Sequence, residues 1–92
     1  MDSSEDRLDA LLRALADPTR RRLLLLIRSQ PGRTTAELAA VTRGMTRWGV
    51  MKHLEALRAA GLIQTLPEGR HRRHYHEPTA LDLLRNWLAR PD

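Results

Sequence analysis

The stretch from Thr34 to Gly61 leaves the backbone few options. Thr34 with Glu37 three residues on is a capping box, in which a hydroxyl and a carboxylate each satisfy a free backbone N–H and open a helix. That helix is short, reaching about Val41, with Leu38 and Val41 as its inward contacts. Arg43-Gly44-Met45 breaks it, and Gly44 suits a positive φ. Thr46 then caps a longer helix from Arg47 to Ala60, closed by Gly61 just past its end.

A capped short helix, a tight glycine-containing turn and a longer capped helix make a helix-turn-helix. The rest of the chain is read around it. Ser3 with Asp6 starts a first helix carrying Leu8, Leu11, Leu12 and Leu15 as one apolar stripe. Asp17-Pro18 stops that helix and starts the next, with Asp17 as N-cap and Pro18 preset in the first turn. This second helix runs to about Gln30, and its Leu23 to Ile27 run predicts burial almost all round. After Gly61, Leu62 to Leu66 and His71 to His76 form two short strands around the turn residues Pro67-Glu68-Gly69-Arg70. The hairpin is polar and basic and has little to bury. Thr79 with Asp82 predicts a last cap, followed by the stripes Leu81/Leu84/Leu88 and Leu83/Trp87. The expected fold is mainly α with a small β-hairpin: a winged helix-turn-helix of about five helices and a two-stranded wing, filling residues 1–92 as one domain.

Charge suggests the partner. The 92 residues carry a formal charge of +5, concentrated in the middle of the chain. Residues 1–17 hold five acids against Arg7 and Arg13, whereas Pro18 to Arg33 holds five arginines and no acid. Arg43 to Arg73 holds seven basic residues against Glu55 and Glu68. A basic stretch of this kind fits a polyanion. With Val50 set toward the core, Leu54 and Leu57 share its side and His53 lies at the edge; Trp48, Lys52, Glu55 and Ala59 face away, flanked by Gly49 and Met51. Arg47 sits at the helix N-terminus, where free N–H groups already favour a phosphate. The candidate DNA-contacting residues are therefore Thr46, Arg47, Trp48, Gly49, Met51 and Lys52 in the major groove. Arg70, Arg72 and Arg73 on the wing are candidates for phosphate or minor-groove contact. Gly49 costs helix stability of about 1 kcal/mol relative to Ala, which close approach of the backbone to DNA would justify.

The core is lean, with no Phe, two Trp and one Tyr, and pairing with a second copy would remedy that. The candidate dimer residues are Leu8, Leu11, Leu12 and Leu15 on the first helix (about 4–16) and Leu81, Leu84, Trp87 and Leu88 on the last (about 79–90).

Leu15-Ala16-Asp17-Pro18-Thr19-Arg20 with its leucine run resembles the opening of the ArsR/SmtB family of bacterial repressors. Met45 to Leu54, then Leu57 and Ala60-Gly61-Leu62, resemble the family's recognition helix and the entry to its wing. Gly69-Arg70 and His74-Tyr75 before Pro78 resemble the wing and its exit, so the likeness spans about residues 8–90. The turn is one residue longer than usual around Thr42-Arg43. The resemblance implies a homodimer paired through first and last helices, binding a palindromic operator on double-stranded DNA as a repressor, in the bacterial cytoplasm at the nucleoid.

One part of the pattern is missing. Metal-sensing members place cysteines in the short third helix or His and carboxylate ligands in the last. Here the former reads Thr35-Ala36-Glu37-Leu38-Ala39-Ala40, the chain has no cysteine, and the last helix has no His. No metal or other cofactor is expected. His71, His74 and His76 on the wing are expected to be solvated or phosphate-facing, and protonating them near pH 6 would strengthen DNA binding. The chain has no glycine-rich phosphate loop, no nucleophile beside a base and no membrane-spanning run, so neither an enzyme nor a membrane protein is expected. The alternative function is a winged-helix protein-protein interaction module without sequence-specific DNA binding, which would need an apolar or acidic reading surface.

Overall fold

The computed structural model describes residues 3–91. The order is α1 (Ser4–Leu15), α2 (Pro18–Ser29), β1 (Arg33–Thr34), α3 (Thr35–Val41), α4 (Arg47–Ala59), β2 (Ile63–Glu68), β3 (His71–His76) and α5 (Asp82–Leu88). Local capping explains where four of the helices begin. Ser3 Oγ accepts from the Asp6 N–H at 3.1 Å, Asp17 Oδ1 from Arg20 at 3.0 Å and Thr46 Oγ1 from Gly49 at 3.0 Å. At Thr34 the box is reciprocal, with Thr34 Oγ1 accepting from Glu37 N–H and Glu37 Oε1 from Thr34 N–H. Each such cap contributes about 1 kcal/mol.

The helices close around Leu11, Leu23, Ile27, Leu38, Val50, Leu57 and Leu62, all essentially inaccessible to solvent. Each fully buried aliphatic side chain of this kind contributes about 1.5–3 kcal/mol. α2 is less buried than its run of five apolar residues predicts. Leu23, Leu24 and Ile27 face the core, but Leu25 is 61% exposed. At 100° per residue a helix cannot turn five consecutive side chains inward, and Leu25 falls opposite the Leu23–Ile27 line.

The wing is a three-stranded antiparallel sheet in the order β1-β3-β2, where two strands were expected. β2 and β3 pair from Ile63↔His76 to Glu68↔His71, and β1 adds Arg33↔His74 and Thr34↔Arg73. The third strand ties the hairpin to the start of α3. Gly32, at φ 88°, makes the approach feasible. Its N–H donates to the His74 carbonyl at 2.9 Å, and the Tyr75 hydroxyl stands 3.3 Å from where a Cβ would project.

The long turn between α3 and α4 is anchored by Thr42, whose buried hydroxyl donates to the Leu38 carbonyl at 2.6 Å. Gly44, at φ 74°, lets the chain reverse direction.

The last helix starts later than the sequence predicts. Glu77 Oε2 accepts from both the N–H and the hydroxyl of Thr79, at 2.9 and 2.8 Å. Thr79 therefore belongs to a turn, and α5 begins at Asp82 behind Leu81 with no side-chain cap. α5 packs on α1, and Arg90 reaches Glu5 at 3.7 Å across the pair.

Candidate nucleic-acid interface

Val50, Leu54 and Leu57 anchor α4 in the core, which turns the opposite side outward as the helical phase predicts. Trp48 is 65% exposed and Met51 is exposed beside it. Arg47, Lys52 and Glu55 complete the outward face. Lys52 Nζ lies over the Trp48 ring at 5.2 Å from its centroid and 3.9 Å from Glu55 Oε2. Both contacts are solvent-exposed and weak, so neither fixes the ammonium. Thr46 is occupied as the N-cap, so its hydroxyl serves the helix.

Gly49 has a local explanation that the sequence does not reveal. A Cβ there would meet Met45 Cγ at 3.0 Å and Thr46 Oγ1 at 3.4 Å. The glycine makes room for Met45, whose side chain packs against the core cluster. Approach to DNA is not needed to account for it.

The three wing arginines separate. Arg70 and Arg72 are exposed and face α4 across an open cleft of about 510 Å³, bounded also by Arg47, Trp48 and Met51. Arg73 turns the other way. Its Nε donates to Glu68 at 2.9 Å and its Nη1 to the Gly32 carbonyl at 2.8 Å, and the Glu68 carboxylate raises the guanidinium pKa further. Arg73 staples the wing to the β1 turn and is not presented with its neighbours.

His74 also departs from expectation. It is 3% exposed, with Nε2 2.8 Å from Thr35 Oγ1 and Nδ1 3.0 Å from Thr65 Oγ1. Burial, with the charge of Arg72, lowers its pKa, so it resists the protonation expected of a solvated wing histidine. Both ring nitrogens are engaged inside the fold. His71 is exposed and borders the cleft, and His76 is half-buried. Among the described residues no group of three His, Asp or Glu side chains is placed to hold a metal ion.

The cleft also takes in Arg58, Thr35 and Ala36, and with them Glu55, whose outward phase was expected. Glu55 and Arg58 line it from α4, and Thr35 and Ala36 from the start of α3. Glu55 and Arg58 lie four and seven positions beyond Met51, which puts all three on one helical face, so the spacing carried that signal. The contribution of α3 comes from tertiary packing and left no mark in the sequence.

His53 sits half-buried at the edge of α4, where Arg20 Nη1 approaches its Nδ1 at 3.5 Å. Asp17 is held below the ordinary carboxylate range, mainly by the Arg20 N–H, with His53 and Arg20 adding attraction. On the terminal helices, Leu8 and Leu11 are buried within the protomer, and Leu15, Leu81 and Leu84 are partly buried against the core. Leu12, Trp87 and Leu88 remain exposed, at 44%, 50% and 68%.

A helix pair with one solvent-facing cationic helix, flanked by a basic hairpin, defines a winged helix-turn-helix DNA-binding protein. Known proteins agree with that class. A helix-turn-helix domain family model matches residues 15–65. The transcriptional regulator CmtR of Mycobacterium tuberculosis and Mycobacterium bovis is 42% identical over 73 residues, which cover 76% of this chain and 58% of those relatives. The crystal structure of an ArsR family transcriptional regulator superposes with a TM-score of 0.84 at 35% identity, covering 97% of this chain and 90% of that one. A homodimeric winged helix-turn-helix DNA-binding domain from Mycobacterium bovis, solved by NMR, gives a TM-score of 0.74 at 26% identity, covering 91% of this chain and 74% of that one. The chain belongs to the ArsR family of winged helix-turn-helix transcriptional regulators.

Proposed function

We propose that this regulator acts as a homodimeric repressor that binds a palindromic operator on double-stranded DNA, with residues 1–92 as its DNA-binding domain. The observation that carries the reading is the outward face of α4: Arg47, Trp48, Met51 and Lys52 stand exposed, and the first three border a cleft that Arg70 and Arg72 line from the wing. The α4 residues would enter the major groove, where an N-terminal cation reads or neutralises and Trp48 and Met51 supply apolar contact. Arg70 and Arg72 would take phosphates or the adjacent minor groove. Glu55 stands on the same face and suits a cytosine amino group.

The exposed Leu12, Trp87 and Leu88 lie on the packed α1 and α5 pair and would meet their counterparts in a second copy. Leu8, Leu11, Leu15, Leu81 and Leu84 would support that surface from beneath. The homodimeric Mycobacterium bovis neighbour supports association of two copies. No helix among the described residues is long and apolar enough to cross a membrane, and a DNA-bound regulator would work in the cytoplasm at the nucleoid.

The test is a nuclease footprint of the purified chain on the DNA upstream of its own gene. Protection of two symmetric half-sites about one helical turn apart supports the reading. A featureless pattern, with binding indifferent to salt, would favour a protein-contact role.

A further inference from the structure

Arg20 stands in the first turn of α2, yet its guanidinium is committed outside that helix. Its Nε donates to the Ala14 carbonyl at 2.7 Å and its Nη2 to the Arg13 carbonyl at 3.1 Å. These carbonyls lie in the last turn of α1, where helix ends leave acceptor capacity to spare; the Arg13 carbonyl also accepts from the Ala16 N–H at 3.2 Å. The fork is therefore fixed by α1, and its remaining nitrogen, Nη1, stands 3.5 Å from His53 Nδ1 on α4, a long contact at the edge of hydrogen-bonding distance. Among the described residues Arg20 makes no carboxylate ion pair within 4.0 Å, and its side-chain contacts are those with α1 and His53. A lysine could not reproduce this, because an ammonium has no planar fork to span both carbonyls and a third acceptor.

We infer that Arg20 and His53 form a positioning contact that sets the orientation of the α4 reading face relative to α1, and so the half-site separation that a dimer accepts. The inference rests on the proposed reading that α1 and α5 pair two copies and that α4 reads DNA. Neither residue touches DNA in this scheme. His53 neighbours Lys52 in the chain but points to the inner flank, and Arg20 is half-buried behind it. Arg47 lies six residues from His53, or roughly 9 Å along the helix axis. A tilt of about 10° at His53 would move it by roughly 1.5 Å, enough to lose a hydrogen bond, whose heavy-atom range spans only about 0.5 Å. In a dimer the displacement occurs on both sides of the two-fold axis, so it appears as a change in half-site spacing.

The experiment uses three variants of the full chain. His53→Leu removes the acceptor, Arg20→Lys removes the fork, and His53→Gln restores an acceptor that is neutral at every pH. The probes are duplexes built on the palindrome that the wild-type protein selects from a random-sequence library, one at the selected separation and others with the half-sites moved apart by one and by two base pairs. A random-sequence duplex of equal length serves as the reference.

The expected wild-type preference for the selected separation is about tenfold or more, comparable to the cost of one mismatched base pair. His53→Leu and Arg20→Lys should reduce that preference to within about threefold while leaving random-duplex affinity and sedimentation as a dimer unchanged, and His53→Gln should retain it. A merely structural role would weaken binding to all duplexes in proportion. That result, or an unaltered spacing preference in His53→Leu, overturns the inference. A wild-type protein that sediments as a monomer or selects no palindrome is a separate result, visible before any variant is compared, and it overturns the dimer reading and this inference together.

Discussion

Replacing His74 with alanine tests whether the wing is held by its one buried imidazole. The side chain is 3% exposed and bonds to Thr35 at 2.8 Å and Thr65 at 3.0 Å, joining β3 to the start of α3 and to β2. Losing two such hydrogen bonds costs about 1 kcal/mol each. The vacated ring space adds about 1–2 kcal/mol, toward the low end of core truncations because Thr35 and Thr65 are only half-buried and water can reach them. The total is about 3–4 kcal/mol, a large share of the stability of a small domain. Thermal melts followed by circular dichroism, at fixed protomer concentration, should show Tm lowered by roughly 12–30 °C. A fall of less than about 4 °C would mean that His74 does not hold the wing.

The same residue fixes a pH dependence. Burial and Arg72 hold the folded-state pKa of His74 below its ordinary 6.5, so the unfolded chain binds the proton more readily. The stability contributed by neutral His74 is thus complete above pH 6.5 and is lost progressively as pH falls from there toward the lowered folded-state pKa. His74→Gln should flatten the wild-type decline in Tm between pH 7 and 5. Parallel declines in the two proteins would place the titration elsewhere.

Two further outcomes follow from the packing. Leu12→Glu combined with Leu88→Glu changes side chains that are 44% and 68% exposed in the protomer, so the fold should survive while sedimentation shifts from dimer to monomer. An unchanged dimer would move the interface away from α1 and α5. Gly49→Ala should not deliver the full helix-propensity gain of about 1 kcal/mol, because its Cβ meets Met45 Cγ at 3.0 Å. In a Met45→Ala background the same change should recover that gain, and identical effects in both backgrounds would remove Met45 as the reason for the glycine.

Local features of this chain were legible in its sequence, and features made by distant contacts were not. Ser3, Asp17, Thr34 and Thr46 announce their helices because a cap satisfies backbone groups only two or three residues away. The outward phase of α4 follows from Val50, Leu54 and Leu57 alone. β1 escaped notice because Arg33–Thr34 is too short to show alternation, and its partner lies forty residues on. His74 and Arg73 look like wing-surface residues until Thr35 and Gly32 are brought against them by the fold. Thr79 with Asp82 shows that a capping signal can lose locally: Glu77 captures Thr79 first.

If α4 and the wing tip together engage DNA phosphates and base edges, binding must depend steeply on salt. Arg47, Lys52, Arg70 and Arg72 are exposed, four per protomer and eight in a dimer. If each displaces one counterion, the slope of log Kobs against log salt is about −7, measured by fluorescence anisotropy on the footprinted duplex. Lys52→Ala removes two of the eight and should bring the slope to about −5 with the fold intact. A wild-type slope shallower than about −3, or a Lys52→Ala slope equal to the wild-type one, would mean that these cations do not engage the phosphates.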